Sequence, residues 1–389
     1  MRDDWVETTL GAVALLNPLE PSLSDTDHFV PMDAVHIGKR WLQYTEEKRD
    51  RKGARAREGD VLFARITPCL ENGKVAQVQS EIERCGGSTE FIVIRGTEKC
   101  SSDFLYFWCT LKANRDKAAE LMTGTTGRQR LSRQDLASLD FLLPPLPEQK
   151  RIVDLISSVD SYIESLQQQL ENAKRSRNAV LHELLTAGGD DWVETTIGEV
   201  ALLNPSEPAL SDTAHFAPMD AVHVGKRWLQ YTEERRDRNG ARARAGDVLF
   251  ARITPCLENG KVAQVQSELE RCGGSTEFIV VRGTEKCTSD FLYFWCTLKV
   301  NRDKAAELMT GTTGRQRLSW QGLGGLGLWL PSIAEQERIV NNISEFDSLI
   351  ESTESAITES QNLRSGLLSD LLSGEHEIPA SYDKVMGAA

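Results

Sequence analysis

At 389 residues the chain is long enough for two or three domains, and 40% hydrophobic with 26% charged residues places it near globular averages rather than among disordered polyelectrolytes. No apolar run approaches the roughly 18–20 residues that span a bilayer, and "MRDDWVETTL" has neither the basic start nor the apolar stretch of a secretory signal, so a cytoplasmic location without membrane contact is expected. The formal net charge of −13 argues at first sight against nucleic acid, but residues 332–389 alone hold 3 Lys/Arg against 11 Asp/Glu, which leaves the rest nearly balanced and able to present a basic face.

In chain order, "DVLFARI" (60–66), "KVAQVQ" (74–79) and "TEFIVIR" (89–95) read as short strands, and residues 102–122 have helical periodicity opened by Ser102 or Asp103. The stretch "TGTTGRQRLS" (123–132) is a glycine-rich turn carrying Arg128, Gln129 and Arg130. Residues 148–187 then step their apolar positions by four and three through Ile152, Ile156, Val159, Ile163, Leu166, Leu170, Ala173, Val180 and Leu184, a heptad pattern. Pro147 with Glu148 suits the start of that helix, and Gly188-Gly189 its end.

The chain then begins again. Residues 5–130 and 192–317 align without a gap and agree at 112 of 126 positions, so a whole domain is duplicated. The following stretches, 148–187 and 335–374, share only 16 of 40. The second keeps the heptad stripe through Ile339, Ile343, Phe346, Ile350, Ile357, Leu367 and Leu371, weakened by Thr353 and Ser360, and Arg177 and Arg364 stand at the same seam position. Two such helices, each with one apolar stripe, most simply bury it against each other. The expectation is α+β: two globular mixed α/β domains (1–147 and 190–331), two spacer helices (148–189 and 332–376) and a flexible tail (377–389).

The chemistry of a self-contained enzyme is absent from the sequence. There is no GxGxxG after a strand, no Walker loop, and no Asn-Pro-Pro-aromatic loop, since Leu19 or Ser206 follows Asn-Pro where a second proline is needed. His28, His36, His215 and His223 lack metal spacing, and the eight cysteines form no CxxC pair, which reads as buried, reduced thiols. Basic character is the better lead. "EKRDRKGARAR" (47–57) and "ERRDRNGARAR" (234–244) set arginines beside glycine, "HIGKRW" sets Trp41 beside Lys39 and Arg40, and "GTTGRQR" puts Arg and Gln on a turn. Arg takes guanine and Gln takes adenine bidentately, whereas Lys and Thr serve phosphates. Taken alone, any one such run is more often a solvated surface. Two copies held apart by a rod, however, suit a split duplex site.

Aromatic-Val-x-x-Thr-x-Leu-Gly near the start, "GDVLFARITP", "GTTGRQRLS" and "LPPLPEQKRIVDLI" (143–156), kept as Leu-Pro-x-x-x-Glu-Gln-x-Arg-Ile-Val at 330–340, together resemble the DNA-specificity subunit of type I restriction-modification systems. The resemblance covers nearly the whole chain, twice. It implies two target-recognition domains on helices that form an antiparallel coiled coil, related by a pseudo-twofold. It also implies a non-catalytic chain with double-stranded DNA and two methyltransferase subunits as partners, and restriction/translocase subunits indirectly. Those partners would supply S-adenosylmethionine, ATP and magnesium chemistry, with no cofactor or metal in this chain. Because the two domains are near-identical, the site read is expected to be an interrupted palindrome. The alternative is a scaffold or decoy that binds methyltransferase subunits without reading DNA. Candidate base or phosphate contacts are Arg128, Gln129, Arg130, Arg315, Gln316 and Arg317, with Arg65, Lys74, Arg252 and Lys261 second, although any of them could instead tie the loop to its own domain. Trading Arg133, Asp135 and Asp140 for Trp320, Gly322 and Gly327 in the second copy is expected to loosen that segment and alter its docking.

Overall fold

In the first domain, short strands whose residues are apolar on consecutive positions must be covered on both faces, and Val61–Ala64 (β6) is the clearest case, with all four residues buried. The structure, a computed structural model, describes residues 4–21, 23, 28–47, 53–125, 127–189, 191–210, 215–234, 240–312 and 314–385. It divides into two units, residues 1–167 with 355–389, and residues 168–354.

The first unit opens with β1 (Val6–Thr9), α1 (Leu10–Val13), β2 (Leu15–Leu16), β3 (His28–Val30), β4 (Glu46–Glu47) and β5 (Ala54–Arg57). After β6 come β7 (Val75–Gln77), β8 (Arg84–Gly87) and β9 (Phe91–Arg95), then α2 (Ser102–Thr110) and α3 (Lys112–Glu120). Next are β10 (Thr123–Thr125), β11 (Arg128–Arg130), α4 (Arg133–Ala137), β12 (Asp140–Leu143) and the long α5 (Leu146–Thr186). One sheet has the order β2-β9-β6-β7 and the other β4-β3-β8-β5, in which β3 and β8 run parallel. Strand alternation on β6 builds two cores at once. Val61 and Phe63 face a core with Phe104, Phe107, Ile152 and Ile156, while Leu62 and Ala64 face a second with Val30, Ala56 and Cys85 from the other sheet.

Helix α2 has six consecutive buried residues, Phe104 to Cys109, and is capped by Ser101, whose side chain accepts from the Phe104 amide. The single helix expected over 102–122 is in fact two. Leu111 is extended (φ −64°, ψ 122°), and Asn114 Nδ2 donates to the Trp108 carbonyl that the break leaves open, at 3.0 Å. Strand β1 pairs antiparallel with β12, and this closes the domain beside the start of α5.

The second unit repeats this plan. Its elements are β13 (Val193–Thr196), α6 (Ile197–Val200), β14 (Leu202–Leu203), β15 (His215–Ala217), β16 (Glu233–Glu234), β17 (Ala241–Arg244), β18 (Val248–Ala251), β19 (Val262–Gln264), β20 (Arg271–Gly274) and β21 (Phe278–Arg282). Then follow α7 (Ser289–Thr297), α8 (Lys299–Glu307), β22 (Thr310–Thr312), β23 (Arg315–Arg317), α9 (Trp320–Gly324), β24 (Gly327–Leu330), the long α10 (Ile333–Ser373) and α11 (Tyr382–Val385). Despite its glycines, the end of this domain keeps the register of the first copy: β13 pairs with β24 as β1 does with β12, and Ser319 caps α9 as Ser132 caps α4. The close approach of Gly11 to Ala137 becomes one of Gly198 to Gly324. The segment itself keeps its pairing, because its backbone hydrogen bonds do not need the lost side chains.

Each long helix has 41 residues, about 60 Å of helical rise. Within each unit a segment of one helix packs on a segment of the other. In the first unit Arg364 forks on Asp160; in the second Arg177 Nε meets Asp347 at 2.7 Å and Lys174 meets Glu354 at 3.0 Å, so there the numbers fall on one helix as they rise on the other and the segments run antiparallel. Adding 187 to one member of the first fork and subtracting it from the other gives the second fork. The helices exchange roles between units, as expected for duplicated partners. The buried stripe departs from the strict heptad at its end: Leu181, Leu185, Leu368 and Leu372 are buried where Val180, Leu184 and Leu367 are only half-buried. A straight helix drifts against a seven-residue repeat, and these last turns pack into a domain core rather than on the partner helix alone.

The segment assigned from sequence to a flexible tail is docked over residues 377–384. Ile378 is 5% exposed, Tyr382 packs on the first core, and Asp383 pairs with both Arg151 Nε and Nη2 at 2.8 Å. Its lack of periodicity hid this, because a short covering segment needs only one or two anchors. Among the described residues no helix is long and apolar enough to cross a membrane.

Candidate nucleic-acid interface

Strands β10 and β11 form a hairpin in which Thr125 pairs with Arg128 and Thr123 with Arg130. The glycines are required there: Gly127 has φ 81°, and Gly124, at φ 135°, would drive a Cβ to 2.8 Å from the Arg128 carbonyl oxygen. The hairpin is fixed at its base by Thr67, whose amide donates to the Gln129 carbonyl at 3.1 Å and whose hydroxyl accepts from the Gln129 amide at 2.8 Å. Its remainder is exposed. Residues 310–317 repeat the hairpin on Thr254.

The candidate residues divide. Arg128 and Arg315 are exposed at the turn, and their side chains have no hydrogen-bond partner among the described residues. Gln129 and Gln316 are half-buried. Arg130 forks on Glu90, with Nε at 2.9 Å from Oε2 and Nη2 at 2.6 Å from Oε1, and Arg317 does the same on Glu277. That fork, with the nearby Arg252, holds the Glu277 carboxyl below the ordinary glutamate range. Lys74 and Lys261 point elsewhere: their ammonium groups donate to the carbonyls of Met32 at 2.9 Å and Met219 at 3.0 Å. Arg65 and Arg252 stand between hairpin and sheet, each amide bonded to the Glu90 or Glu277 carbonyl at 2.9 Å. In the two basic stretches, residues 48–52 and 235–239 lie outside the described residues, while Arg55 lies on β5 and donates to the Glu20 carbonyl at 3.3 Å.

"HIGKRW" is the joint between domain and spacer, which the sequence reading missed. Arg40 donates to Gln77 at 2.8 Å, Asp103 at 2.5 Å and Ser157 of α5 at 3.3 Å, and stacks over Trp41, Tyr106 and Phe107. Arg227 repeats this with Gln264, Asp290 and Ser344 of α10. The neighbouring lysines differ. Lys39 reaches Gln167 at 3.2 Å and Glu164 at 3.4 Å, whereas Lys226 pairs with Glu354 at 2.6 Å, which Lys174 also holds. These bonds, Lys226 first, keep the Glu354 carboxyl below its ordinary range. A carboxylate lowered on folding stabilises above its unfolded value and loses that contribution as pH falls through the folded one. Acidification through pH ~4 is therefore expected to speed hydrogen exchange at 224–228 in the second unit more than at 37–41 in the first, and Glu354→Gln is expected to abolish the difference.

All eight cysteines are free, six of them buried. Burial, with the Asp60 charge behind it, pushes the Cys85 thiol up to about 12, so it is inert as a nucleophile. Among the described residues no His/Cys/Asp/Glu group could hold a metal ion.

Two copies of an α+β domain, each presenting a glycine-hinged arginine hairpin and each packed in its own unit on segments of both long helices, define a tandem two-module architecture. A family model described as "Type I restriction modification DNA specificity domain" matches residues 35–175 and again 190–360. The chain belongs to that family. It is 31% identical over 196 residues to the EcoAI specificity subunit of Escherichia coli, which is 47% of this chain but 32% of that protein, so the match spans about a third of that relative's length. It is 22% identical over 342 residues to the EcoKI specificity subunit of Escherichia coli K12, covering 75% of this chain and 73% of the other. Among solved structures, a chain described under complex assembly and conformational transition of the type I R-M system has TM-score 0.64 at 21% identity, covering 95% of this chain and 98% of its own. The S subunit from M. genitalium has TM-score 0.57 at 14% identity, covering 96% and 97%. At these identities the likeness is one of fold.

Proposed function

We propose that the chain is the non-catalytic DNA-recognition subunit of a type I restriction-modification complex, reading a bipartite, interrupted palindrome and docking two methyltransferase subunits on its helices. Residues 1–147 and 190–331 act as target-recognition domains and 148–189 and 332–376 as spacers. Partner subunits would supply S-adenosylmethionine, ATP and magnesium chemistry, and the complex would work in the cytoplasm. The observation that carries this is the same exposed hairpin, Arg128 to Arg130 and Arg315 to Arg317, on domains alike at 112 of 126 positions, each bonded in the same way to a helix pair. Nearly identical reading surfaces meet the same bases on opposite strands of a twofold site.

Methylome sequencing of cells expressing the chain with its cognate methyltransferase tests this. A methylated motif whose two halves are inverted repeats around a gap of fixed length is expected. An asymmetric split motif would remove the palindrome, and no motif at all would favour a scaffold that binds methyltransferase without reading DNA.

A further inference from the structure

We propose that Arg65 and Arg252 each receive a phosphodiester group of the duplex backbone. The inference rests on the DNA-reading function proposed above. Arg65 follows β6 at a three-way join: its amide donates to the Glu90 carbonyl, and its own carbonyl accepts from the Leu131 amide, just beyond the hairpin, at 2.8 Å. Its side chain lines a cavity of about 300 Å³ with Asn17, Glu20, Arg55 and Thr89, and Arg252 lines the equivalent cavity of the second unit.

In both copies the guanidinium Nε is buried without a hydrogen-bond partner. Native structures rarely leave such a donor unmet, and in these two places it belongs to a half-buried arginine that lines an open cavity. Most of the carboxylate oxygens nearby are already engaged. Arg130 holds both oxygens of Glu90, and Arg95 Nη1 holds Glu20 at 2.6 Å; in the second unit Arg317 holds both oxygens of Glu277, and Arg282 and Arg244 share the Oε1 of Glu207 at 2.8 and 2.7 Å, while its Oε2 is buried without a hydrogen bond. The result is a recessed cation with no carboxylate bonded to its Nε, beside an exposed hairpin. A full negative charge with spare lone pairs suits it better than the partial charges of a base edge, whereas the exposed hairpin side chains are placed to reach further.

The test uses the full chain with its methyltransferase, one duplex carrying the methylome-defined site and one scrambled duplex, titrated with salt. Arg65→Met with Arg252→Met is expected to weaken binding to both duplexes alike and leave the methylated motif unchanged. Two phosphates at about 0.9 each lower the slope of log K against log salt by about 1.8, so the affinity drop between roughly 50 and 200 mM salt becomes about 12-fold smaller. Arg65→Lys with Arg252→Lys keeps the charge and is expected to recover most of the slope, which keeps the test valid if the methionine variant folds poorly. An unchanged slope in the methionine variant would mean a structural role, and a loss confined to the specific duplex would mean base reading; either overturns the proposal. A wild-type chain that binds neither duplex sinks the DNA-reading function itself, a separate result.

Discussion

Asp60→Ala is expected to destabilise the first unit by about 3 kcal/mol, the cost of stranding a buried guanidinium. Asp60 is 1% exposed and Arg95 8% exposed. The carboxylate takes Arg95 Nε and Nη2 at 2.7 Å each, and the Arg57 amide at 2.9 Å, so it closes the tight turn over Gly59 as well as the ion pair. Alanine leaves two guanidinium donors and one backbone donor without their acceptor. The estimate stays at the lower end of the range for broken buried pairs because Glu20 still compensates part of the Arg95 charge, at 2.6 Å. The second unit is a built-in control: Asp247 holds Arg282 and the Arg244 amide in the same way. Hydrogen exchange resolved by unit checks this, with faster exchange in β6 and β9 only for Asp60→Ala and in β18 and β21 only for Asp247→Ala. Equal protection in all four strands after either change would show that the pair contributes little.

How much of this was legible in the sequence depends on the range of the interaction. Consecutive apolar residues in "VLFA" and "FIVIR" demanded covered strands, the glycines of "TGTTG" demanded a tight hairpin, and two apolar stripes demanded long helices that pair; all three are local signals. Partner choice over long separations was not legible. Nothing near Arg130 announces Glu90, and nothing near Lys74 announces the Met32 carbonyl. The same limit explains why "HIGKRW" looked like a nucleic-acid run: its arginine becomes a domain anchor only because Asp103 and Ser157 arrive from elsewhere in the chain. A basic residue in sequence is a donor without an address. The break at Leu111 and the docked residues 377–384 escaped for a related reason, since both are set by packing against a finished core rather than by periodicity.

The most specific element of the sequence, the Pro-x-x-x-Glu-Gln junction, carries the last prediction. Gln149 is 1% exposed at the start of α5. Its Oε1 accepts from the Ser101 amide at 2.9 Å, and its Nε2 donates to the Lys99 and Pro144 carbonyls at 2.9 Å each, so one side chain ties the loop before α2, the end of β12 and the first turn of the spacer. Gln149→Ala strands one donor and two acceptors and is expected to cost about 2–4 kcal/mol. Gln149→Glu keeps the bond from Ser101 but turns a charged oxygen toward two carbonyls, and at neutral pH it is expected to be worse than alanine. Burial and those carbonyls raise the new carboxyl above the roughly 4.3 of an unfolded glutamate. The penalty is then small below that value and grows as pH rises, the reverse of a paired carboxylate. Urea unfolding of Gln149→Glu at about pH 4 and pH 8 checks the sign: the deficit relative to wild type must be larger at the higher pH, and a pH-independent deficit would mean that the amide nitrogen is not what the two carbonyls require.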